Sequence, residues 1–141
     1  MQTSLICHLL IGPPGCGKST FAALLARQVN SQIALRCAHA AQTSLAMTEI
    51  VSTDEIRQQL YGDESIQGKW AEIEEKALDE MRQAIAAGQP VIYDATNTKR
   101  AWRMKLLMQV NSTFPSVLWM AWHITTPLET CLLYTSPSPR D

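Results

Sequence analysis

Residues 12–19 read Gly12-Pro13-Pro14-Gly15-Cys16-Gly17-Lys18-Ser19 and satisfy the pattern G-x-x-x-x-G-K-[ST] at every fixed position. The glycines let the backbone turn tightly, so successive N–H groups point into one hollow where phosphate oxygens can bind. We call residues 12–19 the phosphate loop. Lys18 is expected to reach the β- and γ-phosphates of a nucleotide, and the Ser19 hydroxyl is placed to bind Mg²⁺. The alternative interpretation is an ordinary Gly-Pro turn before a helix.

The segments on either side of the phosphate loop match the context that this motif requires. Residues 5–11 form a short apolar run, which predicts a buried parallel strand. A helix is predicted from Lys18, and its N-terminal end adds positive charge to the hollow. We expect this helix to end near Asn30, and its apolar face to carry four residues at helical spacing: Phe21, Leu24, Leu25 and Val29.

The rest of the chain alternates between short apolar runs and longer segments with helical periodicity. Further strands are predicted at residues 49–53, 91–93 and 117–122, and helices at 54–61, 66–87 and 98–109. Gly62 and Gly88 are the expected ends of the first two helices, and Asn97 or Thr98 is the expected N-cap of the third. Residues 32–47 show no clear period. Strands that alternate with helices predict an α/β fold with a parallel sheet covered on both faces.

Two carboxylates follow predicted strands. Asp54 comes after the second strand and Asp94 after the third, so both are expected at the edge of the sheet where parallel strands end and ligands bind. One such carboxylate can hold the water shell of a magnesium ion, and a second can accept the proton of an attacking hydroxyl. The alternative for each is a helix N-cap.

Basic residues accompany both carboxylates. Arg57 lies one helical turn after Asp54, where it suits a phosphate on an acceptor, or else serves as an exposed charge or an intrahelical partner of Asp54. A second basic group follows Asp94, and we expect it to form a solvated helix face: Lys99, Arg100, Arg103 and Lys105.

The overall composition excludes several classes of protein. Twelve Lys and Arg against thirteen Asp and Glu give a net charge of −1, so the chain is not a general polyanion binder and any contact with nucleic acid must be local. The four cysteines show no C-x-x-C spacing, and neither a basic signal-peptide region nor a membrane-spanning run is present. We therefore expect a reduced, cytoplasmic protein without a membrane segment.

The aromatic and histidine residues carry no chemical signal in the sequence. His8 and His123 lie in apolar strands and are expected to be buried core residues. A base-stacking platform needs exposed aromatic rings interleaved with basic residues. We instead expect the four tryptophans to be buried on helix or strand faces: Trp70, Trp102, Trp119 and Trp122.

Three motifs together carry a resemblance to a known family. They are residues 12–20, the segment Ser52-Thr53-Asp54-Glu55-Ile56-Arg57, and Asp94-Ala95-Thr96-Asn97 followed by Arg103. In this order and spacing they resemble the P-loop kinases related to the 5′-hydroxyl polynucleotide kinase domain, often labelled AAA-family ATPases, with zeta toxins as more distant relatives. The resemblance covers about residues 4–133.

The resemblance implies a fold, a reaction and a set of site residues. The fold is a P-loop NTPase three-layer sandwich whose first strand lies between the third and the fourth. The reaction is transfer of the γ-phosphoryl group of ATP to a hydroxyl. Asp94 would be the magnesium-site carboxylate together with Ser19, Asp54 the general base, and Arg57 the contact to the acceptor phosphate. Nucleotide binding would fall to Gly12, Gly15, Cys16, Gly17, Lys18, Ser19 and Thr20.

The acceptor and the oligomeric state stay open at this point. A nucleic-acid 5′ end fits the resemblance, whereas the near-neutral charge slightly favours a small-molecule acceptor on the same scaffold. A different class is a nucleotide-dependent binding or switch module that hydrolyses ATP slowly without any phosphate acceptor.

The last residues of the chain depart from the family pattern. We expect a kinase core at residues 1–130 and a tail at 131–141 that is not native, because the tail has no periodicity, contains two Ser-Pro steps and resembles a translated sequencing-library adapter. In the family, an arginine-bearing lid and a final strand follow the core. Only Arg140, in the tail, is a candidate lid arginine, so we expect this polypeptide to bind nucleotide but transfer phosphoryl groups very slowly.

Overall fold

The computed structural model describes residues 5–13, 16–37, 47–63, 66, 68–97 and 99–124, with side chains of the first helix described as far as Ala34. Strands and helices alternate along the chain, as the sequence predicts. They are β1 (Ile6–Ile11), α1 (Lys18–Cys37), β2 (Glu49–Ser52), α2 (Thr53–Tyr61), α3 (Trp70–Ala86), β3 (Val91–Asp94), α4 (Arg100–Thr113) and β4 (Leu118–His123). The tail expected at residues 131–141 lies outside the described residues.

The four strands form one parallel sheet in the order β2-β3-β1-β4. The predicted α/β class is confirmed, and so is the position of β1 between β3 and β4. The register pairs Ser52 with Asp94, so β2 and β3 end side by side. Parallel strands all point the same way, and the segments after β1, β2 and β3 therefore meet at one edge of the sheet.

Helices cover both faces of this sheet. Side chains alternate along a strand, so Leu9 and Tyr93 pack into the core beneath α2, α3 and α4, whereas Leu10 and Ile92 pack against α1. This arrangement is the three-layer layout of P-loop NTPases. In the described part of the chain, no helix is long and apolar enough to cross a membrane.

Helix α1 differs from the sequence prediction in its buried face and in its end. The small residues Ala22 and Ala26 lie against the sheet, whereas Leu24 is 58% exposed. The helix continues beyond Asn30 to Cys37. The Asn30 side chain does not end the helix, because its Oδ1 accepts hydrogen bonds from the backbone N–H (2.9 Å) and hydroxyl (2.7 Å) of Thr48, just before β2.

The ends of the other helices follow local signals in part. Gly62 is the left-handed C-cap of α2, and Gly88 just beyond α3 also has a positive φ, as predicted. Helix α3 begins at Trp70 rather than at residue 66. Its buried residues recur at helical spacing: Ile73, Ala77, Leu78, Met81, Ala84 and Ile85. The predicted N-cap of α4 is wrong. The cap is Lys99, because the Asn97 side chain is engaged elsewhere.

The two strand histidines have opposite environments. His8 is buried as expected, and its Nδ1 accepts a hydrogen bond of 3.0 Å from the Trp122 indole N–H. Burial lowers the pKa of His8. The prediction for His123 is wrong: it is exposed, because it is the last residue of β4, a strand whose side chains are mostly open to solvent in the described structure.

Candidate nucleotide and acceptor site

The phosphate loop leaves β1 at the carboxyl edge of the sheet. The Gly12 N–H donates to the carbonyl of Thr96 at 3.1 Å, which ties the start of the loop to the segment after β3. Glycine is needed at position 12, because a Cβ there would lie 2.7 Å from Cys16 Sγ, a buried atom. Gly17 has φ +90°, a conformation that side chains rarely adopt. Pro14 and Gly15 lie outside the described residues.

Helix α1 begins directly at the lysine of the motif. Lys18 is 8% exposed, and its Nζ donates to the carbonyl of Pro13 at 2.8 Å. The ammonium therefore lies against the phosphate loop. An ammonium carries three donors, so further N–H bonds can be directed to phosphate oxygens. Thr20, in the first turn of α1, is exposed.

Ser19 and Asp94 are brought together from distant parts of the sequence. The Ser19 hydroxyl donates to Asp94 Oδ2 at 2.9 Å, and Asp94 is 7% exposed. Burial raises the pKa of Asp94, and nearby Asp54 adds to this. The Ser19 hydrogen bond and the Lys18 charge oppose the shift. Asp94 is the last residue of β3 and not a helix N-cap, which excludes the alternative drawn from the sequence.

This pair of oxygen ligands fits a magnesium ion that is shared with a nucleotide. Magnesium in such sites takes one or two protein oxygens, and phosphates and water supply the others. Asp94 and Ser19 supply a carboxylate and a hydroxyl at hydrogen-bond distance. A cation would also offset the burial of the Asp94 charge. Among the described residues, no cluster of three or more His, Cys, Asp or Glu offers a cage made entirely by protein.

Asp54 and Arg57 lie on the first turns of α2, which follows β2 without a linker. The N-cap is Ser52, whose Oγ accepts from the Glu55 N–H, so Asp54 is not the cap. Arg57 Nη1 donates to Asp54 Oδ1 at 3.0 Å, which is the intrahelical pair that the sequence left open. The Asp54 side chain is 64% exposed, that of Arg57 only 15%. Asp54 follows two residues after Ser52, which pairs with Asp94 in the sheet, and its charge adds to the raised pKa of Asp94.

The segment after β3 is joined to β1 and to α4 by hydrogen bonds that could not be predicted from the sequence. Asn97 has φ +52°, and its Nδ2 donates to the carbonyl of Leu10 at 2.8 Å. Arg103 Nη1 donates to the carbonyl of Asn97 at 2.7 Å. Arg103 is therefore not part of a solvated face, contrary to expectation. The polar residues after Asp94 were the available signal, but the Leu10 carbonyl that Asn97 binds lies 87 residues away along the chain.

A cavity of about 370 Å³ adjoins Arg57 on the α3 and α4 side of the sheet. Its walls include the rings of Trp70, Trp102 and Tyr93. The indoles of Trp70 and Trp102 stack with centroids 5.5 Å apart and planes 20° apart. Trp102 is 47% exposed, and Lys99 Nζ lies 4.3 Å from its ring centroid. The expectation that Trp102 is buried is wrong, because the ring lies near the start of α4 and is open to solvent beside Lys99.

Comparisons with known proteins identify the family and the fold. The family model for the AAA domain matches residues 7–133. Two solved chains, one from the Pnkp1/Rnl/Hen1 complex and one from the Pnkp1/Rnl/Hen1 RNA repair complex, align with all of this chain at TM-scores of 0.64 and 0.65 and identities of 19% and 18%. The present chain spans 42% and 41% of their lengths. These likenesses show a shared fold.

A third solved structure, a gluconokinase from Sinorhizobium meliloti 1021, aligns with 85% of this chain and 58% of its own at 18% identity, with a TM-score of 0.37. No significant match is found among curated proteins.

Proposed function

We propose, from the premise that the chain belongs to the AAA domain family, that it is a P-loop kinase that transfers the γ-phosphoryl group of ATP to a hydroxyl acceptor of the polynucleotide 5′-hydroxyl type. The observation that carries the proposal is the hydrogen bond between Ser19 and Asp94 beside the buried Lys18, with Asp54 in the first turn of the helix that follows the neighbouring strand β2. A phosphate loop alone occurs in many nucleotide-binding proteins. A second carboxylate facing the same region is what a phosphate acceptor requires.

In this proposal the phosphate loop binds the nucleotide. The amides of Cys16 and Gly17 and the positive end of α1 hold the phosphate oxygens, whereas the Gly12 N–H stays with the Thr96 carbonyl and Gly12 supplies the tight turn. Lys18 turns one or more N–H bonds from the Pro13 carbonyl to the β- and γ-phosphates. Ser19 and Asp94 would hold Mg²⁺, which supplies neutralisation of the charge on the transferred group when it is bound.

Asp54 is the proposed general base. Its carboxylate accepts the proton of the acceptor hydroxyl while the hydroxyl oxygen forms a bond to the γ-phosphorus. The bond from the γ-phosphorus to the bridging oxygen breaks, and ADP leaves with that electron pair. Arg57 holds Asp54 by one N–H and is proposed to contact a phosphate of the acceptor with others. Among the described residues, its Nε has no hydrogen-bond partner.

The test compares Asp54→Asn with Asp79→Asn, a matched change of an exposed aspartate on α3. We expect Asp54→Asn to reduce label transfer from γ-labelled ATP to a 5′-hydroxyl oligonucleotide by at least about a hundredfold, the lower range for a general base. Binding of a fluorescent ATP analogue should stay within about twofold of the unchanged protein, and Asp79→Asn should alter neither quantity. Lys18→Ala should weaken ATP binding itself.

Transfer is followed over short and long incubations, so that a slow reaction is also detected. Transfer that is unaffected by Asp54→Asn would exclude the proposed base. ATP hydrolysis that persists in this variant, without transfer to any hydroxyl, would instead support a nucleotide-dependent binding module.

A further inference from the structure

The aromatic cavity next to Arg57 has walls of two chemical kinds. One side carries the stacked indoles of Trp70 and Trp102. The rest includes polar groups of Glu74, Thr96 and Asn97. A volume of about 370 Å³ is within the range of small-molecule sites. The cavity therefore suits a flat ring that has polar edges, rather than a fully apolar or a fully charged group.

The exposure of Trp102 is unusual for a purely structural residue. The residue is 47% exposed although its ring stacks on Trp70. Lys99 Nζ stands 4.3 Å from the ring centroid, and aromatic rings flanked by cations are the arrangement on which nucleic-acid bases stack.

The indole wall is held in place before any ligand binds. The Tyr61 hydroxyl accepts from the Lys69 backbone N–H at 3.0 Å and donates to Glu72 at 2.7 Å, which fixes the start of α3 beside Trp70. A side chain at Gly68 would collide with the Tyr61 ring, so this segment lies tightly against α2. A wall that is already ordered lowers the entropy lost on binding.

The charges along the cavity give its occupant an orientation. Arg57 lines the cavity and bonds to Asp54, whereas the Glu74 side chain is 16% exposed and pairs with Lys105 at 3.6 Å. The guanidinium of Arg57 favours a phosphate at that part of the cavity, next to Asp54. A hydroxyl near Asp54, a phosphate near Arg57 and a ring against the tryptophans describe the end of a nucleic-acid strand.

We propose that this cavity binds the base of the acceptor's 5′-terminal nucleoside, packed against the Trp70 and Trp102 wall. The inference rests on the proposed function, because it assigns the acceptor of that same site. It selects a nucleoside end over a sugar or an amino sugar, which offers no flat aromatic ring to stack.

The experiment measures binding and transfer separately. Binding uses oligonucleotides labelled at the 3′ end that carry either a normal 5′-terminal nucleoside or an abasic one, both with a free 5′-hydroxyl, and an unlabelled amino sugar as competitor. We expect the abasic end to bind roughly tenfold more weakly, within the range for loss of one stacked base. The amino sugar should not compete.

Two substitutions on α4 locate the effect. Trp102→Leu should weaken binding of the normal oligonucleotide roughly tenfold and remove its advantage over the abasic one, and Trp102→Phe should restore most of it. Met104→Ala is the matched control, because Met104 is 45% exposed on the same helix and does not line the cavity. Affinity for the ATP analogue should not change in any of the three variants.

The outcomes separate this inference from the proposed function. Equal binding of normal and abasic ends, or an advantage that survives Trp102→Leu, overturns the base site even where Asp54-dependent transfer is present. A base-dependent affinity that Trp102→Leu removes supports the base site even where no transfer is detected, and in that case only the kinase proposal fails. A nucleoside 3′-phosphate that competes as well as the oligonucleotide places the specificity in the terminal nucleoside, as proposed. Competition by the amino sugar overturns it.

Discussion

Gly12→Ala would place a methyl group 2.7 Å from Cys16 Sγ and 3.4 Å from Ile124 Cβ. Ordinary contacts between such atoms are about 3.5–4.0 Å, so the overlap with sulfur is about 1 Å, and Ile124 closes the other side. Overpacking of this kind typically costs about 1–3 kcal/mol. Cys16 is part of the phosphate loop, so we expect its displacement to lower the free energy of unfolding by that amount and to weaken ATP binding about tenfold or more.

Removal of the sulfur tests this steric cause. In Gly12→Ala/Cys16→Ala the new methyl group has room, so the double variant should be about 1–2 kcal/mol more stable than the sum of the two single effects predicts. The measurements are urea unfolding followed by tryptophan fluorescence, and titration with a fluorescent ATP analogue. Gly88→Ala is the control: it is strained by its φ of +79°, has no atom within 4 Å of the added Cβ, and should not respond to Cys16→Ala.

Additive effects of Gly12→Ala and Cys16→Ala, within about 0.5 kcal/mol, would refute the contact between these two residues as the reason for glycine at position 12. Unchanged ATP affinity in Gly12→Ala would refute the link between this packing and the shape of the phosphate loop.

Two further predictions concern stability. Met81 is fully buried, so Met81→Ala should lower the free energy of unfolding, measured in urea, by about 2–5 kcal/mol. Met104→Ala, at an exposed position, should change it by no more than about 0.5 kcal/mol. Equal losses in the two variants would contradict the described core. Burial lowers the pKa of His8 below its usual 6.5. As the pH falls below 6.5, His8 therefore binds a proton in the unfolded chain but not in the folded protein. The free energy of unfolding should then decrease with decreasing pH. In His8→Asn this component of the pH dependence should be absent between pH 7.5 and 5, and an unchanged slope of unfolding free energy against pH would contradict it.

Local sequence signals were sufficient to predict the elements that end at a glycine or that follow an apolar run. The phosphate loop, the strand before it and the helix after it were recognisable because backbone geometry and periodicity are properties of neighbouring residues. The order of the strands was different: it came from the family resemblance, because no periodicity states which strands pair.

The predictions that were wrong concern residues whose side chains contact distant segments of the chain. Asn30 was expected to end α1 and Asn97 to cap α4, but each side chain bonds to another segment, at Thr48 and at Leu10. The exposure of Trp102 could not be predicted from the sequence of α4 either. This helix has apolar residues on several faces, and only its packing against the rest of the protein decides which of them are buried.

The sequence by itself therefore determined that strands and helices alternate, that a phosphate loop begins α1 and that an acid follows each of two strands. Only the tertiary structure decided that Ser19 reaches Asp94, that Arg57 pairs with Asp54 and that two tryptophans from different helices form a wall. The physical reason is that hydrogen bonds and ring contacts depend on positions in space, and residues far apart in the chain become neighbours only when the sheet and its helices pack.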